Sequence, residues 1–514
     1  MKFSLPANHG LPDALLGDAE LVPRTKEGAP SLTDVQHEAL SQGVARGESL
    51  LVVAPTSTGK TLVGVWALSS WIFSRNSRRA VYLVTHRALA RQKFEELLKL
   101  LCDRHLNKDR TSIVLANGDT VEDGAGNIPS EPLNSSILVA TYEKYLAMIS
   151  GTGISTDMSH CAIVCDEIQI LGDENRGRNI EVLLTLLRKA RWGQFIGLSA
   201  VIDARDARDL KDWLEVILIR LERREKHLHY ECRTSTRALT FKTDQPEAGV
   251  SERNRSPQEG YNPDTVLMNL VQDKSNLPIV VFCMSKKRVE QSVQNYARVR
   301  GVRFSPKQPL LPPLREPTAS ARTLSSIIPQ RFAFHTSDLL EEERIVVEEQ
   351  LNSRKLDVVF ATSTLAAGVN FPFKTAVFDD WKLWDSRSKS KKPLSASEFH
   401  NMAGRVGRMG SQHSHGSVIF MATDQFFERQ TIATYLTPDQ TTPLTPRIDP
   451  KVFSQLALQL VSSGVCQTAD DIDEFLSGSF SAMRERGANR TGLAHWKESM
   501  RQAVLELKSW GFIL

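Results

Sequence analysis

Short apolar runs alternate with longer amphipathic or polar stretches in the first part of the chain. The runs read SLLVVA, AVYLV, TSIVLA, SSILVA, CAIVC and QFIGLSA. Apolar runs of this length without strict alternation are typical of strands buried on both faces, and helical stretches between them are typical of βα units. The pattern predicts an α/β domain with a parallel sheet over about residues 1–225.

A second series of the same kind follows the polar stretch KTDQPEAGVSERNRSPQEGYNPDT, which predicts an exposed loop or insertion. Its runs read LPIVVFCMS, RFAFH, LDVVFATS, KTAVFDD and GSVIFMA. This series predicts a second α/β domain over about residues 226–446. From Pro450 onward the spacing becomes helical, with a capping-box-like start at Thr468 and Asp471, and predicts a small helical domain of winged-helix type over residues 447–514.

Composition sets limits on the class of protein. The 514 residues carry a formal charge of +4, which permits a nucleic-acid partner without requiring one. The six cysteines lack the paired spacing of a zinc site, and the chain has neither a signal peptide nor a run of about 20 apolar residues. We therefore expect a reduced, cytoplasmic protein with no membrane partner.

The stretch APTSTGKT lies between the run SLLVV and the helical pattern LVGVWALSSWIF. A glycine-containing loop in this context predicts a phosphate site, because backbone N–H groups and the positive end of a helix face the bound anion. Lys60 is expected to reach the β- and γ-phosphates, Thr61 to ligate Mg²⁺, and Ala54 replaces the usual first glycine. The residues expected to bind nucleotide are Thr56, Ser57, Thr58, Gly59, Lys60 and Thr61.

Two adjacent acids, Asp166 and Glu167, follow the run CAIVC. Considered alone, such a pair has three alternative interpretations: a polar cap that leads into a loop, a metal site or a catalytic pair. Beside a phosphate-binding loop, Asp166 is expected to hold Mg²⁺ and Glu167 to accept a proton from the water that attacks the γ-phosphate. The predicted cofactors are ATP and Mg²⁺.

A pair of arginines completes the chemistry predicted from the residues alone. Arg405 and Arg408 in HNMAGRVGRMG are three residues apart, near one face of a predicted helix. Their guanidinium groups could reach the γ-phosphate across a cleft between the two α/β domains. A solvated helix face is the alternative.

These motifs occur in an order that resembles the superfamily 2 DExH helicases of the Ski-like branch, nearest the archaeal fork-repair helicases and the polymerase theta helicase domain. The resemblance is carried by LTDVQHEAL, THRALA, NGD, ATYEK, VVFATSTLAAGVNFP and EFHNMAGRVGR. It implies two tandem RecA-like domains followed by a winged helix. It also implies that Gln36 reads adenine, that Gly368 and Asn370 contact the nucleotide, and that Thr362 and Thr364 contact the tracking strand.

Further strand contacts follow from the same resemblance. It assigns Arg87, Gly118, Asp119 and Thr141 to the tracking strand, although Thr85 replaces a usual proline. The motif EFHNMAGRVGR departs from the pattern at Asn401, where the family usually has glutamine.

Two departures concern coupling between hydrolysis and strand movement. In GLSAVI, Val201 replaces a threonine whose hydroxyl could connect the nucleotide site to the strand grip. Gln169 stands where the family usually has histidine. An amide keeps a donor and an acceptor but does not titrate, so we expect Gln169 to link the domains by hydrogen bonds without relaying a proton.

The stretch DDWKLWDSRSKSKKPLSASEF lies where related helicases have a strand-separating hairpin, at about residues 379–397. Trp381 and Trp384 are expected to offer an apolar surface, with VFDDWKLW as one strand and the residues after Pro393 as its return. An unstructured basic loop is the alternative. The expected phosphate contacts at the tip are Arg387, Lys389, Lys391 and Lys392.

The resemblance implies an ATP-dependent helicase or translocase that moves 3′ to 5′ on single-stranded DNA, in DNA repair or anti-phage defence. Two alternatives stay open: a nucleotide-gated clamp or sensor with little unwinding, and an RNA helicase. Because the chain ends at the apolar residues Phe512, Ile513 and Leu514, we expect either a fragment of a longer helicase or completion by a partner subunit such as a nuclease. A tail that folds onto its own domain is the alternative.

Overall fold

The computed structural model describes residues 3–55, 58–74, 78–106, 109–118, 120–152, 157–200, 202–221, 226–302, 318–362, 371, 373–385, 389–407, 413–423, 432–437, 443–488 and 493–513. The chain forms two compact units. The first unit combines Met1–Arg223 with Pro443–Leu514, and the second comprises Arg224–Thr442.

The first unit is built on an eight-stranded sheet. Its strands are β1 (Leu50–Val53), β2 (Arg79–Val84), β3 (Ile113–Asn117), β4 (Thr120–Asp123), β5 (Ile137–Thr141), β6 (Cys161–Asp166), β7 (Gln194–Ser199) and β8 (Ile217–Arg220). Their order is β4-β3-β5-β2-β6-β7-β1-β8, and every pair is parallel except β3 with β4. The carboxyl ends of seven parallel strands therefore share one edge, where α/β sheets bind their ligands.

Helices follow these strands and cover both faces of the sheet, as the alternating pattern predicts. They are α1 (Asp13–Leu16), α2 (Asp34–Ser41), α3 (Lys60–Ser74), α4 (Arg87–Leu97), α5 (Asp103–His105), α6 (Tyr142–Thr152), α7 (Gly177–Lys189) and α8 (Ala204–Leu214). A short helical turn, Ile168–Gly172, directly follows β6.

The second unit has its own eight-stranded sheet and a separate two-stranded hairpin. Its strands are β9 (His227–Arg233), β10 (Arg237–Lys242), β11 (Ser251–Asn254), β12 (Ile279–Phe282), β13 (Phe332–His335), β14 (Val358–Ala361), β15 (Thr375–Phe378), β16 (Lys382–Asp385), β17 (Ser390–Pro393) and β18 (His415–Met421). The sheet order is β11-β10-β9-β18-β15-β12-β14-β13, antiparallel only from β9 to β11. The polar stretch predicted as a loop is exposed but includes the edge strand β11.

Helices of the second unit are α9 (Pro263–Leu270), α10 (Lys286–Val299), α11 (Ala319–Ile327), α12 (Glu341–Asn352) and α13 (Ala396–Ala403). Across the described parts of both units, no helix is long and apolar enough to span a bilayer.

The C-terminal part of the chain is helical and packs on the first unit. Its helices are α14 (Phe453–Ser462), α15 (Ala469–Gly478), α16 (Phe480–Ala488) and α17 (Ala494–Ser509). Trp213 of α8 lies 5.3 Å from Phe480, ring centre to ring centre, and its indole N–H donates to the Gly478 carbonyl at 2.8 Å. Buried Glu181 of α7 accepts hydrogen bonds from the Ser481 N–H and hydroxyl, both at 2.7 Å.

The predicted fold class is confirmed, because both sheets are mostly parallel and a helical region follows them. The C-terminal helices contribute to the same apolar core as β6, α7 and α8. The winged-helix assignment and the domain boundaries at residues 225 and 446 stay predictions.

Candidate nucleotide site and strand-binding surface

The loop that follows β1 is tied to the start of α2. Thr33 caps α2 in a reciprocal capping box with Gln36, and its hydroxyl donates to the Thr58 carbonyl at 2.7 Å. The Gln36 amide, which is almost fully buried, also contacts the Gly59 carbonyl at 3.5 Å. The residue predicted to read adenine therefore supports the loop, and its role toward the base stays a prediction.

Lys60 stands at the first position of α3 and folds back over this loop. Its Nζ donates to the carbonyls of Ala54 at 2.6 Å and Pro55 at 2.8 Å. Ala54 takes part through its carbonyl, which any residue supplies, so the missing glycine does not remove this contact. Phosphate oxygens would compete for the same ammonium group, because charge-assisted hydrogen bonds are stronger than those to neutral carbonyls.

The acid pair lies at the end of β6. The Asp166 carboxylate accepts from the Tyr82 hydroxyl at 3.0 Å and from the Glu167 N–H at 3.1 Å. Burial and, next, the Glu167 carboxylate raise the pKa of Asp166 above its ordinary value, while Lys93 and Lys60 oppose the shift. A cation next to Asp166 would relieve the repulsion between the two carboxylates.

Thr61 and Asp166, the two residues predicted to hold Mg²⁺, provide the oxygen donors that this ion prefers. Among the described residues, no group of three or more His, Cys, Asp and Glu side chains could hold a metal. The site therefore fits Mg²⁺ bound through one carboxylate, one hydroxyl and substrate phosphates better than a cage made only of protein ligands.

Gln169 forms a bridge within the first unit. Its amide N–H donates to the Glu167 carboxylate, and its carbonyl oxygen accepts from the Ser199 hydroxyl at 3.0 Å and the Ala200 N–H at 3.3 Å. These hydrogen bonds join the acid pair to the end of β7. The predicted role of Gln169 toward the second unit stays a prediction.

Glu167 itself adopts a left-handed backbone conformation, with φ of 55°. Such a conformation costs a non-glycine residue roughly 1–2 kcal/mol and is typical of sites that the surrounding structure holds in place. The helical turn Ile168–Gly172 starts immediately afterwards, so the left-handed conformation of Glu167 marks a sharp change in chain direction at the predicted base.

Residues predicted to contact a strand also lie at the carboxyl edge of the first sheet. Arg87 begins α4, and its guanidinium group covers Gly118, where an added Cβ would lie 2.4 Å from the Arg87 Cζ. Asn117 donates from its amide to the Arg87 carbonyl at 3.3 Å. Thr141 is buried, and its hydroxyl accepts from the Lys144 N–H at 3.4 Å at the start of α6.

The second unit corrects one expectation about the arginine pair. Helix α13 ends at Ala403 with Gly404 as its C-cap, so Arg405 lies in the turn after the helix and not on its face. Thr362 directly follows β14 and is buried. The predicted residues outside the described part of the chain are Thr56, Ser57, Asp119, Val201, Thr364, Gly368, Asn370, Arg387 and Arg408.

The predicted hairpin is formed by β16 and β17, in which Trp384 pairs with Lys391. Trp384 is 64% exposed, and Lys389 at the start of the return is exposed as well. Three expectations were wrong. The stretch VFDDWKLW does not form one strand, because Val377 and Phe378 end β15 in the main sheet and β16 begins only at Lys382. Trp381 is 4% exposed and packs on Tyr435, so it belongs to the core, and the return strand ends at Pro393 instead of beginning after it.

Comparison with known proteins agrees with this arrangement. Residues 33–210 match the DEAD/DEAH box helicase family, and residues 318–410 match the helicase conserved C-terminal domain. Each of the two matched regions is thus similar to a known helicase domain. The resemblance predicted from the motifs is thereby confirmed.

The chain is similar to several archaeal proteins named ATP-dependent DNA helicase Hel308. It is 28% identical over 492 residues to that of Methanocella arvoryzae, covering 94% of this chain and 62% of the relative. It is 29% identical over 412 residues to that of Pyrococcus horikoshii, covering 78% and 52% respectively. The chain thus spans less than two thirds of the length of these relatives.

Sequence reasoning missed two tyrosines of the helicase site. Tyr82 of β2 donates to the Asp166 carboxylate, and Tyr142 of α6 donates to the Asp166 backbone carbonyl at 2.9 Å. Both tyrosines are buried. A tyrosine inside a buried strand indicates a hydroxyl that needs a partner, but the sequence does not tell which partner it meets.

Proposed function

We propose that the chain is an ATP-dependent helicase or translocase that moves along single-stranded DNA. The observation that carries the proposal is the continuous arrangement of Lys60, Asp166, Glu167 and Gln169 at one edge of the first sheet. The relatives are named ATP-dependent DNA helicases, which supports DNA over RNA as the substrate.

In the proposed reaction, Lys60 exchanges the Ala54 and Pro55 carbonyls for phosphate oxygens of ATP. Thr61 and Asp166 would hold Mg²⁺, which supplies positive charge to the phosphates. Glu167 accepts a proton from the attacking water, and Gln169 keeps its carboxylate oriented through the hydrogen bond to Oε2. Arg405 and Arg408 are proposed to stabilise charge on the γ-phosphate.

Strand binding is proposed to involve mainly phosphate contacts. Arg87 presents a guanidinium group at the edge of the sheet, and the hairpin residues Trp384 and Lys389 are exposed. Stacking and phosphate contacts bind single strands with little sequence preference. Movement from 3′ to 5′, a wedge role of the hairpin and a role in repair are proposals that rest on the resemblance of the motifs to the helicase family.

Two finer points complete the proposal. A nuclease or another partner subunit is proposed to bind the chain and act with it on DNA. A cytoplasmic location is supported by cysteines Cys102, Cys161, Cys165, Cys232, Cys283 and Cys466, which are all buried and free of disulfides.

The deciding experiment compares Glu167→Gln with wild type in ATP hydrolysis and ATP binding. We expect turnover to fall by about 100-fold or more while ATP affinity is retained, because a positioned base is lost. The matched control is Glu174→Gln, which removes an exposed acid from the same segment. Turnover close to wild type in Glu167→Gln would overturn the assignment of the site.

The nucleic-acid part of the proposal is tested separately. ATP turnover is measured with single-stranded DNA and with single-stranded RNA of matched length and sequence. Stronger stimulation by DNA supports the proposal. Stimulation by RNA alone would reassign the substrate, and binding without strand displacement would favour a clamp or sensor.

A further inference from the structure

Arg176 lies between the helical turn Ile168–Gly172 and helix α7, in a stretch for which the catalytic chemistry gives no role. Its side chain makes three hydrogen bonds. Nε donates to Glu143 Oε1 at 2.6 Å, and Nη2 donates to Glu143 Oε2 at 2.9 Å and to the Thr85 carbonyl at 2.5 Å. One planar guanidinium group therefore holds a carboxylate at both oxygens and a backbone carbonyl at the same time.

The two partners belong to the predicted strand-binding motifs. Thr85 follows β2 and precedes α4, which begins with Arg87. Glu143 is in the first turn of α6, directly after β5 and Thr141. Strands β2 and β5 are neighbours, and their last residues, Val84 and Thr141, are paired.

Arg176 reaches these partners from the other side of β2. The chain enters this segment from β6, which pairs with β2 along the edge opposite β5. The side chain thus connects the carboxyl ends of three consecutive strands, β6, β2 and β5. Among the described residues after β6, Arg176 is the one whose side chain forms hydrogen bonds to both strand-binding motifs.

Local structure fixes Arg176 relative to the nucleotide site. The Asp173 carboxylate accepts from the Arg176 N–H at 2.8 Å and from the Asn175 N–H at 2.9 Å, and the Asp173 N–H donates to the Ile170 carbonyl at 2.9 Å. This turn continues the helical turn that starts at Glu167. Arg176 is therefore held by the same short segment that carries the predicted base.

We propose that Arg176 is a positioning residue for the single-stranded nucleic acid, holding the strand-binding loops that follow β2 and β5 at a fixed separation. The inference rests on the proposed function and assigns Arg176 no contact with the strand. Its effect passes through Thr85, which precedes the loop carrying Arg87, and through Glu143.

Charge provides a way to distinguish positioning from direct contact. Glu143 carries a negative charge close to a surface that is expected to bind phosphates. If only electrostatics mattered, removal of that charge would strengthen strand binding. If Glu143 serves to anchor Arg176, its removal weakens strand binding instead.

The experiment uses the full chain and the variants Arg176→Gln, Glu143→Gln and the double variant. Affinity for a fluorescein-labelled oligo(dT) is measured by anisotropy at fixed salt, and ATP turnover is measured as a function of oligo(dT) concentration. The control is Arg178→Ala, because Arg178 lies on the same helix and donates to the exposed Gln455 at 2.6 Å. Thermal unfolding of every variant monitors the fold.

We expect each single variant to bind oligo(dT) about tenfold more weakly, the scale of one charge-assisted hydrogen-bonded pair. The double variant should be no weaker than Arg176→Gln alone, since loss of Arg176 already removes the links to both Glu143 and Thr85. The oligo(dT) concentration that gives half-maximal ATP turnover should rise by a larger factor than the factor by which ATP turnover at saturating oligo(dT) falls. Arg178→Ala should bind as wild type does.

Two results would overturn the inference while leaving the proposed function intact: wild-type or tighter binding by Glu143→Gln, or losses that add in the double variant. If Arg176→Gln failed to fold, the oligo(dT) affinity of Glu143→Gln would test the inference by itself: weaker binding would support it, and unchanged or tighter binding would overturn it. If the wild-type chain neither bound oligo(dT) nor responded to it, the proposed function and this inference would both fail.

Discussion

Replacing Gln169 by alanine should remove the side-chain hydrogen bonds that link the acid pair to the end of β7. The wild-type amide donates to Glu167 and accepts from the Ser199 hydroxyl at 3.0 Å and the Ala200 N–H at 3.3 Å. Alanine removes all three hydrogen bonds. We expect a small loss of stability and a large loss of ATP turnover.

The magnitudes follow from the partners. Ser199 is buried, and leaving one buried polar group unsatisfied costs about 1–3 kcal/mol, with the lower end expected because water can enter beside the half-buried Gln169. In a unit of this size, about 1 kcal/mol lowers the unfolding temperature by roughly 2–4 °C. Displacement of a catalytic group by about 1 Å can cost roughly 100-fold in rate, so turnover should fall by about 10- to 100-fold.

The assay is steady-state ATP hydrolysis at saturating ATP and single-stranded DNA, together with thermal unfolding. Gln169→Glu is the informative companion, because its carboxylate still accepts from Ser199 and Ala200 but repels Glu167. If the bond to Glu167 matters for turnover, Gln169→Glu should lose as much turnover as Gln169→Ala and less stability. Turnover within about twofold of wild type in either variant would refute the argument.

Three further predictions concern other parts of the molecule. Gly118→Ala should weaken oligo(dT) binding several-fold in an anisotropy titration, because the new Cβ displaces the Arg87 guanidinium group, and it should lower the unfolding temperature by a few degrees, because φ of 48° at this position costs alanine roughly 1–2 kcal/mol. Trp384→Ala should reduce strand displacement more than DNA-stimulated ATP turnover, and equal losses would contradict a wedge role. Burial raises the pKa of Glu181 from 4.5 to about 7. The contribution of its protonated carboxyl group to stability is therefore full below pH 4.5 and is lost as pH rises through about 7. The unfolding temperature of the wild type should fall over this pH range, and Glu181→Gln should lack this part of the fall.

The nucleotide site was predictable because its signals are local. The loop from Ala54 to Thr61 and the acids Asp166 and Glu167 each follow a short apolar strand, and the carboxyl ends of parallel strands meet at one edge. The amide of Gln169 was expected to form a linking hydrogen bond for the same reason. Its partners at β7 required the sheet order β6-β7-β1, which the sequence does not encode in any short pattern.

The wrong expectations have two causes, a contact distant in sequence at Trp381 and a local helix end before Arg405. Trp381 was expected on the surface beside Trp384, but its ring packs on Tyr435, far along the chain. The end of α13 before Arg405 depends on the turn at Gly404, whose N–H donates to the His400 carbonyl at 2.8 Å. Burial of an aromatic ring depends on what the fold brings near it, and no local pattern carries that information.

The return of the chain to the first unit has a consequence for biosynthesis. A ribosome completes Met1–Arg223 and then adds all of Arg224–Thr442 before α14 to α17 emerge to join the core around α7 and α8. At about 5–20 residues per second, the apolar surface that includes Trp213 waits on the order of ten to forty seconds for its cover. The nascent first unit is therefore exposed to aggregation during that interval, and chaperones that shield apolar surfaces should raise the yield of folded chain.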